Sequence, residues 1–372
     1  MTIKIGILCG GRSGEHEVSL LSARSIYDAL DRKRFAPLLV AIDKQGHWRA
    51  GTPQTLLLHA DDAARIALNP AAPRVVPMAE EGVCLLPGWD DESVQLEVEL
   101  FFPIIHGTDG EDGALQGLLR MWDLPFVGAD VLGSALGMDK DVTKRLLAHA
   151  GLPVARWVTL NRNTREEAAF ARLSETLGLP LFVKPATLGS SVGVSRVADA
   201  PALDAALKAA FRYDNKVLVE QAIAGREIEC SVLGSGPGGD VPPRASLPGE
   251  VVPRGGFYSY AAKYLEADGA ELHVPAKLDA GTVARVQALA VRVFEVLECD
   301  GMGRVDFFLM PDGQLVVNEI NTLPGFTRIS MYPKLWAASG LPYPELLSRL
   351  VDLALARHAR RQALQRDFTA QD

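Results

Sequence analysis

Hydrophobic and polar positions along the first third of the chain alternate as they do in a series of strands and helices. Apolar runs predict strands at residues 3–9, 35–43 and 98–107, and amphipathic segments predict helices at residues 17–30 and 113–122. This order predicts a parallel, doubly wound α/β sheet that binds ligands beyond the carboxyl ends of its strands. The Pro-, Ala- and Asp-rich residues 52–91 show little periodicity and are interpreted as an insertion.

The rest of the chain predicts two smaller α+β units. A single helix over residues 134–150 ends at Gly151 and Pro153, which marks a boundary. Further helices are expected near residues 165–177, 202–211 and 280–297, and further strands at residues 181–185, 216–221 and 226–234. The turn Pro311-Asp312-Gly313 joins two apolar strands, 303–310 and 314–320, and so predicts a hairpin.

Composition narrows the function classes. Apolar residues make up 48% of the 372 residues and charged residues 23%, the balance of a soluble globular protein. A net charge of -8 without long charge runs argues against a nucleic-acid partner, and no uncharged apolar run is long enough to span a membrane. The four cysteines are far apart, which suggests neither a zinc site nor disulfides and fits a reducing cytoplasm.

The predicted hairpin carries a candidate metal site. Glu319 and Asn321 are two residues apart and therefore lie on one face of their strand. Asp306 joins that face if the loop has two or four residues, whereas a three-residue loop needs a bulge to restore the register. Hard oxygen ligands of this kind suit Mg²⁺, and Arg304 on the same face could stabilise negative charge nearby. Polar residues also end ordinary strands, so the pattern alone leaves that interpretation open.

Two glycine-rich segments are candidates for ligand binding. Lys184 closes a strand before the Gly/Ser loop 186–193, whose backbone N–H groups could face phosphate oxygens, although an ordinary hairpin loop has the same composition. The turn at residues 10–15 follows the first strand, but it lacks the G-x-G-x-x-G pattern, and Glu15 would repel a pyrophosphate. A carboxylate there suits an ammonium group, or simply the amino end of a helix. His106 ends another strand, and residues 254–276 have the composition of a lid.

Taken together, these motifs resemble the D-alanine:D-alanine ligase family of the ATP-grasp superfamily. The resemblance runs in the family's order through "GGRSGEHEVSL", "HGTDGEDG", "GMDK", "KPATLGSSVGVS", "VLVEQ", "FYSYAAKY", "GRVDFF" and "NEINTLPGFTRISMYP". It implies an ATP-grasp fold with a Rossmann-like substrate domain at residues 1–136 and two α+β subdomains, at residues 137–234 and 235–372, that clasp ATP. The implied activity is ATP-dependent joining of two D-alanines, in the cytoplasm and by a homodimer.

The resemblance also implies roles for individual residues. Groups that contact ATP would be Lys140, Lys184, Glu220, Ala222, Ile223, Glu227, Phe257, Lys263, Phe308 and Asn318. Ligands of two Mg²⁺ ions, with Mn²⁺ as a substitute, would be Asp306, Glu319 and Asn321. Groups that bind D-alanine or take part in catalysis would be Glu15, His106, Ser190, Tyr264, Arg304, Gly325, Ser330 and Met331.

Four alternatives compete with this interpretation. A ligase that joins D-alanine to D-lactate shares the scaffold, but the Lys263-Tyr264 pair matches the dipeptide-forming branch. A different ATP-grasp ligase is a second alternative, although the regions around Glu15 and Ser330 match the D-alanine pockets. A catalytically silent nucleotide-binding protein would have lost a metal ligand or a phosphate lysine, and none is missing. A nicotinamide dehydrogenase is disfavoured by the absent G-x-G-x-x-G pattern.

Overall fold

The computed structural model describes residues 2–91, 93–164, 169–189, 192–253, 270–327 and 329–365. The amino-terminal part contains β1 (Ile3–Gly10), α1 (His16–Ala29), β2 (Phe35–Ile42), β3 (Trp48–Gly51), α2 (Pro53–Leu56), β4 (Leu57–Leu58), β5 (Ala67–Leu68), β6 (Met78–Glu80), β7 (Val83–Pro87), β8 (Gln95–Val98), β9 (Leu100–Pro103), α3 (Ala114–Met121) and α4 (Val131–Met138). The central part contains α5 (Lys140–His149), β10 (Trp157–Asn161), α6 (Phe170–Leu177), β11 (Leu181–Pro185), β12 (Ser195–Val197), α7 (Ala200–Ala210) and β13 (Lys216–Gln221). The remainder contains β14 (Arg226–Gly234), β15 (Arg244–Ala245), β16 (Gly249–Pro253), β17 (Ala270–His273), α8 (Ala280–Val296), β18 (Gly301–Leu309), β19 (Leu315–Asn321), α9 (Met331–Ala338) and α10 (Tyr343–Gln362).

The amino-terminal sheet has the strand order β3-β2-β1-β9. β1 pairs in parallel with both β2 and β9, as predicted, and β3 is an antiparallel addition at the edge. The predicted strand at 98–107 was too long, because Val98 ends β8 in a separate sheet and β9 stops at Pro103. The insertion at 52–91 contributes to two small antiparallel sheets, β4-β5 and β6-β7-β8.

The predicted single helix over residues 134–150 is wrong, because two helices occupy this segment. Asp139 lies between α4 and α5 with an extended ψ of 100°, and its carboxylate accepts hydrogen bonds from the backbone N–H groups of Asp141 and Val142. This is the geometry of a helix N-cap, in which a side chain satisfies N–H groups that have no partner in the helix. Gly151 follows α5 with a φ of +74°, so the predicted end of the segment is confirmed.

Two antiparallel sheets make up the rest of the fold. The central sheet has the order β10-β13-β11-β12, and the larger one the order β17-β16-β14-β18-β19 with β15 paired to β14. α8 covers the larger sheet and packs Val286, Val293 and Phe294 into a core shared with Val305 and Phe307. Helix α10 packs against the amino-terminal unit, where its leucines share a core with Ile5, Ile7 and Ile26. Among the described residues, no helix has the length and apolar character needed to cross a bilayer.

The sequence left the loop length of the hairpin β18–β19 open, and the structure has the three-residue loop together with the bulge that such a loop requires. Leu309 pairs with Leu315 and Phe307 with Val317, but Asp306 pairs with Glu319. The register therefore shifts between Asp306 and Phe307, and Asn318 is the additional residue on β19. This single bulge brings Glu319 and Asn321 back to the face that carries Asp306.

The domain boundaries at 136/137 and 234/235 stay predictions. β14 pairs with β16 and β18 in the larger sheet, although it precedes the second boundary. Strand pairing therefore favours a boundary in the segment between β13 and β14.

Arg357 of α10 links the amino-terminal unit to the larger sheet. Its guanidinium is buried, donates to the backbone oxygens of Phe126 and Gly128, and pairs with Asp300 at 3.3 Å. Gly128 also approaches the backbone of Gly301 closely, since a Cβ on Gly301 would lie 3.3 Å from it. One buried cation thus satisfies three acceptors on two units.

We expect Arg357→Met to lower the free energy of unfolding by about 3–5 kcal/mol, because two buried carbonyl groups would lose their donor and the buried Asp300 would lose its nearest cation, keeping the Gly236 N–H and the more distant Arg360. Urea denaturation followed by circular dichroism measures this change. Arg349→Met on the same helix is the control, since the Arg349 side chain is 42% exposed and, among the described residues, pairs with Glu345 one turn away, a contact worth less than about 1 kcal/mol. Equal losses of stability in the two variants would show that the buried contacts of Arg357 do not stabilise the fold.

Candidate active site

A cavity of about 120 Å³ lies where the carboxyl ends of β1 and β9 face the larger sheet. Loops after the two parallel strands supply Glu15, His106 and Glu111, and the hairpin supplies Arg304, Glu319 and Asn321. The segment that leads into α9 supplies Gly325, Ser330 and Met331. Residues from distant parts of the sequence therefore converge on one small space.

The wall formed by the amino-terminal unit is acidic. Glu15 is buried beside Gly107, where a Cβ would lie only 2.9 Å from Glu15 Oε2. Gly107 has a φ of +77°, a conformation that favours glycine, and a larger residue there would also displace the Glu15 carboxylate. The backbone oxygen of His106 accepts from the Ser13 hydroxyl at 2.7 Å, and its ring Nε2 lies 3.3 Å from Ser22 Oγ. Burial lowers the pKa of His106, so this imidazole favours its neutral form.

Glu111 is a second carboxyl group at this wall, and the sequence analysis did not single it out. The N–H of Gly107 donates to its Oε2 at 2.8 Å. Burial, followed by the charge of Glu15, raises the pKa of Glu111 to about 8. The available signal was its place in the acidic, glycine-rich loop after β9, where sites of α/β proteins gather.

Three carboxylates lie side by side on the larger sheet. Glu229 of β14 pairs with Asp306 of β18, which in turn pairs with Glu319 of β19. Arg304 holds both carboxylate oxygens of Asp306, at 2.8 and 2.7 Å, and its Nε lies 2.9 Å from Glu229. The Asn321 side chain donates to Asp306 at 3.0 Å. Sequence reasoning missed Glu229, although its place two residues after Glu227 on one strand puts both on the same face.

Lys140 bridges the hairpin and the Gly/Ser loop. Its Nζ donates to the backbone oxygen of Leu188 at 2.7 Å and lies 3.6 Å from Glu319. Lys140 is the first residue of α5, so the Asp139 cap that separates α4 from α5 also sets its position. The helix break is therefore a feature of the site.

The residues predicted to bind metal fit a hard divalent cation. Asp306, Glu319 and Asn321 present two carboxylates and an amide oxygen on adjacent strands. Among the described residues, no group of three or more His, Cys, Asp and Glu side chains is arranged to hold a metal ion. The set therefore suits a cation that completes its shell with ligands from a substrate, and such a cation would compete with Arg304 for Asp306.

A second charged cluster lies between α5 and the central sheet. Lys144 and Lys184 each contact one oxygen of Glu220, and all three side chains are buried. Burial alone would raise the pKa of Glu220, but Lys184 and Lys144 outweigh it and hold that pKa below its ordinary value. Burial lowers the pKa of Lys144 in spite of Glu220. Lys144 is a further residue that the sequence analysis did not single out.

The other residues predicted to contact nucleotide follow this cluster along the sheets. Ala222 comes directly after β13, and its N–H donates to the backbone oxygen of Pro180. Glu227 pairs with Phe308 across β14 and β18, which places these two residues on the same face as Asp306. Ile223 lies between β13 and β14, and Asn318 forms the bulge of β19.

The amino end of α9 closes the opposite side of the cavity. Ser330 occupies the N-cap position, and its hydroxyl contacts the N–H and Oγ1 of Thr327 at 3.0 and 2.8 Å. A Cβ on Gly325 would lie 2.8 Å from Ser330 Oγ, so a larger residue at this position would displace the Ser330 hydroxyl. The first N–H groups of a helix and its dipole favour an anion, which suits the carboxylate of a substrate.

Four predicted site residues lie outside the described residues: Ser190, Phe257, Lys263 and Tyr264. Most of the predicted lid at 254–276 lies outside them as well. Of the described part, β17 pairs with β16, and Leu272 lines the cavity.

The chain has two antiparallel sheets, a cluster of acidic and basic side chains between them, and a unit with a parallel sheet. These features define an enzyme with the ATP-grasp fold. Residues 4–129 match the family described as "D-ala D-ala ligase N-terminus", and residues 146–352 match "D-ala D-ala ligase C-terminus". The chain belongs to the D-alanine–D-alanine ligase family.

Individual relatives align with this chain along nearly their whole length. The chain is 52% identical over 372 residues to "D-alanine--D-alanine ligase A" of Chromobacterium violaceum, covering 98% of each protein. It is similar to the solved D-alanine-D-alanine ligase from Coxiella burnetii, with a TM-score of 0.82, 38% identity and 97% of each chain covered. It is also similar to the VanG D-Ala:D-Ser ligase from Enterococcus faecalis, with a TM-score of 0.80 and 35% identity, covering 95% of this chain and 100% of that one.

The raised pKa of Glu111 predicts a dependence of stability on pH. From the ordinary value of 4.5 up to about 8, the folded protein holds a proton that the unfolded chain has released. Stability therefore falls as pH rises through this window, by up to about 1.4 kcal/mol per pH unit. Glu111→Gln removes the titrating group but keeps an acceptor for Gly107, so its stability relative to the unmodified protein should increase between pH 5 and pH 8.

Urea denaturation at about pH 5 and about pH 8, the two ends of the titration window, measures this difference. Glu175→Gln, at an exposed position of α6, is the matched control and should leave the slope unchanged. Parallel pH profiles for Glu111→Gln and the unmodified protein would show that Glu111 does not carry the proton.

Proposed function

We propose that the protein joins two D-alanines to D-alanyl-D-alanine, with ATP converted to ADP and phosphate, for the synthesis of peptidoglycan precursors. The observation that carries this proposal is the cavity itself. Around a space of about 120 Å³ lie an acidic wall, the hairpin residues Arg304, Glu319 and Asn321, and the amino end of α9, in a chain of this family.

Glu15 would bind the ammonium group of the first D-alanine. Its carboxylate is buried in a wall that contains no basic side chain other than the neutral-favouring His106 among the described lining residues on that side. Arg304 on the opposite wall would face the substrate carboxylate. A small zwitterion would thus be oriented by opposite charges on opposite walls, which places its carboxylate towards the hairpin.

ATP would lie between the central and the larger sheets. Lys140 and Lys184 would contact its phosphates, Glu220 and the backbone of Ala222 and Ile223 the adenine, and Glu227 the ribose. Phe257 and Phe308 would pack near the adenine, while Lys263 would reach the γ-phosphate and Asn318 would complete the nucleotide site. The buried lysines and the nearby Gly/Ser loop support this placement, because phosphate oxygens need concentrated positive charge and N–H donors.

Asp306, Glu319 and Asn321 would hold two Mg²⁺ ions, for which Mn²⁺ could substitute. When bound, such ions neutralise charge on phosphate oxygens and reduce their repulsion of an incoming carboxylate. Lys140 beside Glu319 and Arg304 beside Asp306 would add fixed positive charge on either side of the ligands.

The reaction would take place in two steps. A carboxylate oxygen of the first D-alanine attacks the γ-phosphorus, ADP leaves, and D-alanyl phosphate forms. The amine of the second D-alanine then attacks the acyl carbon, phosphate leaves, and the amine loses a proton. Arg304 and the N–H of Gly325 would stabilise the tetrahedral oxyanion, while Ser330 and the N–H of Met331 would bind the carboxylate of the second substrate. Ser190 and Tyr264 would assist near the attacking amine.

Several coarser features accompany this proposal. A cytoplasmic location fits the use of ATP and the four buried, unpaired cysteines among the described residues. The homodimer and the division into 1–136, 137–234 and 235–372 are proposals from the family resemblance. D-serine is the second acceptor to test, because one structural relative is a D-Ala:D-Ser ligase.

We expect incubation with ATP, Mg²⁺ and D-alanine to give one D-alanyl-D-alanine for each phosphate released, and L-alanine to give none. Phosphate release measures turnover, and mass spectrometry identifies the product. Parallel reactions supply D-alanine together with D-serine or D-lactate. A mixed product formed in preference to the D-alanine dipeptide would assign a different acceptor, and tight ATP binding without any product would overturn the proposed activity.

We expect Glu319→Gln to lower kcat at least about 100-fold, because one anionic ligand of the proposed metal site is lost. The Mg²⁺ concentration needed for half-maximal rate should rise as well. Asp312→Asn is the control, since Asp312 lies at the exposed turn of the same hairpin and its amide can still accept from Gln314 N–H. If Glu319→Gln kept both the turnover and the Mg²⁺ dependence of the unmodified protein, Glu319 would not be a ligand of the proposed metal site.

A further inference from the structure

Lys144 is the most deeply buried charged side chain of the nucleotide cluster. The residue is 1% exposed, lies on α5, and places its ammonium group against Glu220 Oε1. The ring of Trp157 lies 5.8 Å from the same ammonium group. No role in the proposed reaction has yet been assigned to this cation.

Lys144 and Lys184 share a single carboxylate. Lys184 Nζ contacts Glu220 Oε2, while Lys144 Nζ contacts Oε1. In the proposed function, Lys184 must turn to a nucleotide phosphate and therefore give up this contact. A buried carboxylate left without a cation is strongly unfavourable, so a lysine that was the sole partner of Glu220 would resist leaving it.

The position of Lys144 is fixed by the surroundings of its helix. Asp141, one turn earlier in α5, accepts from the Trp157 indole at 3.1 Å and from the Thr159 hydroxyl at 2.7 Å. Asp139, the N-cap of α5, contacts Lys216 of β13. Helix α5 is thus tied to both β10 and β13, and β13 is the strand that carries Glu220.

We propose that Lys144 is a positioning residue: a fixed counter-cation that keeps Glu220 compensated and thereby frees Lys184 to bind the phosphates of ATP. This inference rests on the proposed function, because it takes Lys184 to be a phosphate ligand. Lys184 lies nearer the surface than Lys144, with 11% of its side chain exposed against 2%, so it is the cation of the pair that can move.

The test compares Lys144→Met in two backgrounds. With Glu220 present, the substitution should weaken ATP binding about tenfold or more, the scale of one lost charge-assisted contact, because Lys184 becomes the only partner of Glu220. In the Glu220→Gln background, the same substitution should change the dissociation constant less than about threefold, since no carboxylate then holds Lys184. Isothermal titration calorimetry with ATP and Mg²⁺ measures all four dissociation constants.

Steady-state kinetics provide a second readout that a purely structural role would not reproduce. Lys144→Met should raise KM for ATP and leave KM for D-alanine nearly unchanged, while Lys144→Arg should restore most of the ATP affinity because it keeps the charge. Lys208→Met is the matched control, since Lys208 lies at an exposed position of α7 and, among the described residues, pairs with Asp204 on its own helix. It should alter neither parameter.

The outcomes separate this inference from the proposed activity. Equal loss of ATP affinity in both backgrounds, or no loss in either, would overturn the role of Lys144. ATP binding does not require turnover, so an inactive protein would refute the dipeptide synthesis and still test Lys144. If Lys144→Met alone failed to fold, Lys144→Arg would decide the matter: a tenfold loss of affinity despite the retained charge would contradict the proposal.

Discussion

The register of one hairpin is the constraint on which the site depends. The turn Pro311-Asp312-Gly313 would by itself place Asp306 opposite Asn318, and the bulge at Asn318 instead places it opposite Glu319. Because side chains alternate along a strand, the absence of this one extra residue would turn Glu319 and Asn321 to the other face of the sheet. The bulge therefore brings the side chains of Asp306, Glu319 and Asn321 to one face and leaves the apolar half of the hairpin packed against α8.

Charge compensation explains how so many acidic groups coexist. Arg304 is held between Asp306 and Glu229, Lys140 lies beside Glu319, and Lys144 with Lys184 encloses Glu220. At the other wall, Glu111 forms no salt bridge with any of the described residues, and burial together with the charge of Glu15 raises its pKa in spite of the charge of Lys140, so its protonated form is favoured. Burial thus forces either pairing or protonation, and which of the two occurs depends on whether a basic side chain is within reach.

Much of this arrangement follows from local sequence patterns, and the exceptions share a cause. Strand and helix periodicity and the Pro-Asp-Gly turn are local, so they were predictable from the sequence alone, whereas the loop length, and with it the bulge, was left open. The break at Asp139 was missed because the apolar pattern continues across it, while the decisive contact is a side-chain cap. Local signals existed for Glu229, two residues after Glu227, and for Glu111, in the glycine-rich loop after β9. The burial of these residues and of Lys144, and most of the charges near them, depend on segments distant in sequence.

The basic side chains of the site differ in how firmly the fold holds them, and this difference separates a fixed charge from one that can change its partner. Lys144 is enclosed by α5 and Trp157, so its charge acts as a fixed part of the central sheet. Arg304 contacts two carboxylates on neighbouring strands, Asp306 and Glu229. If a metal cation bound Asp306, Arg304 would still contact Glu229. Its guanidinium would then keep its place beside the cavity while its charge turned from Asp306 towards a substrate oxyanion. In the proposed reaction, Glu229 would therefore act without touching a substrate, by anchoring Arg304 when Asp306 changes partner.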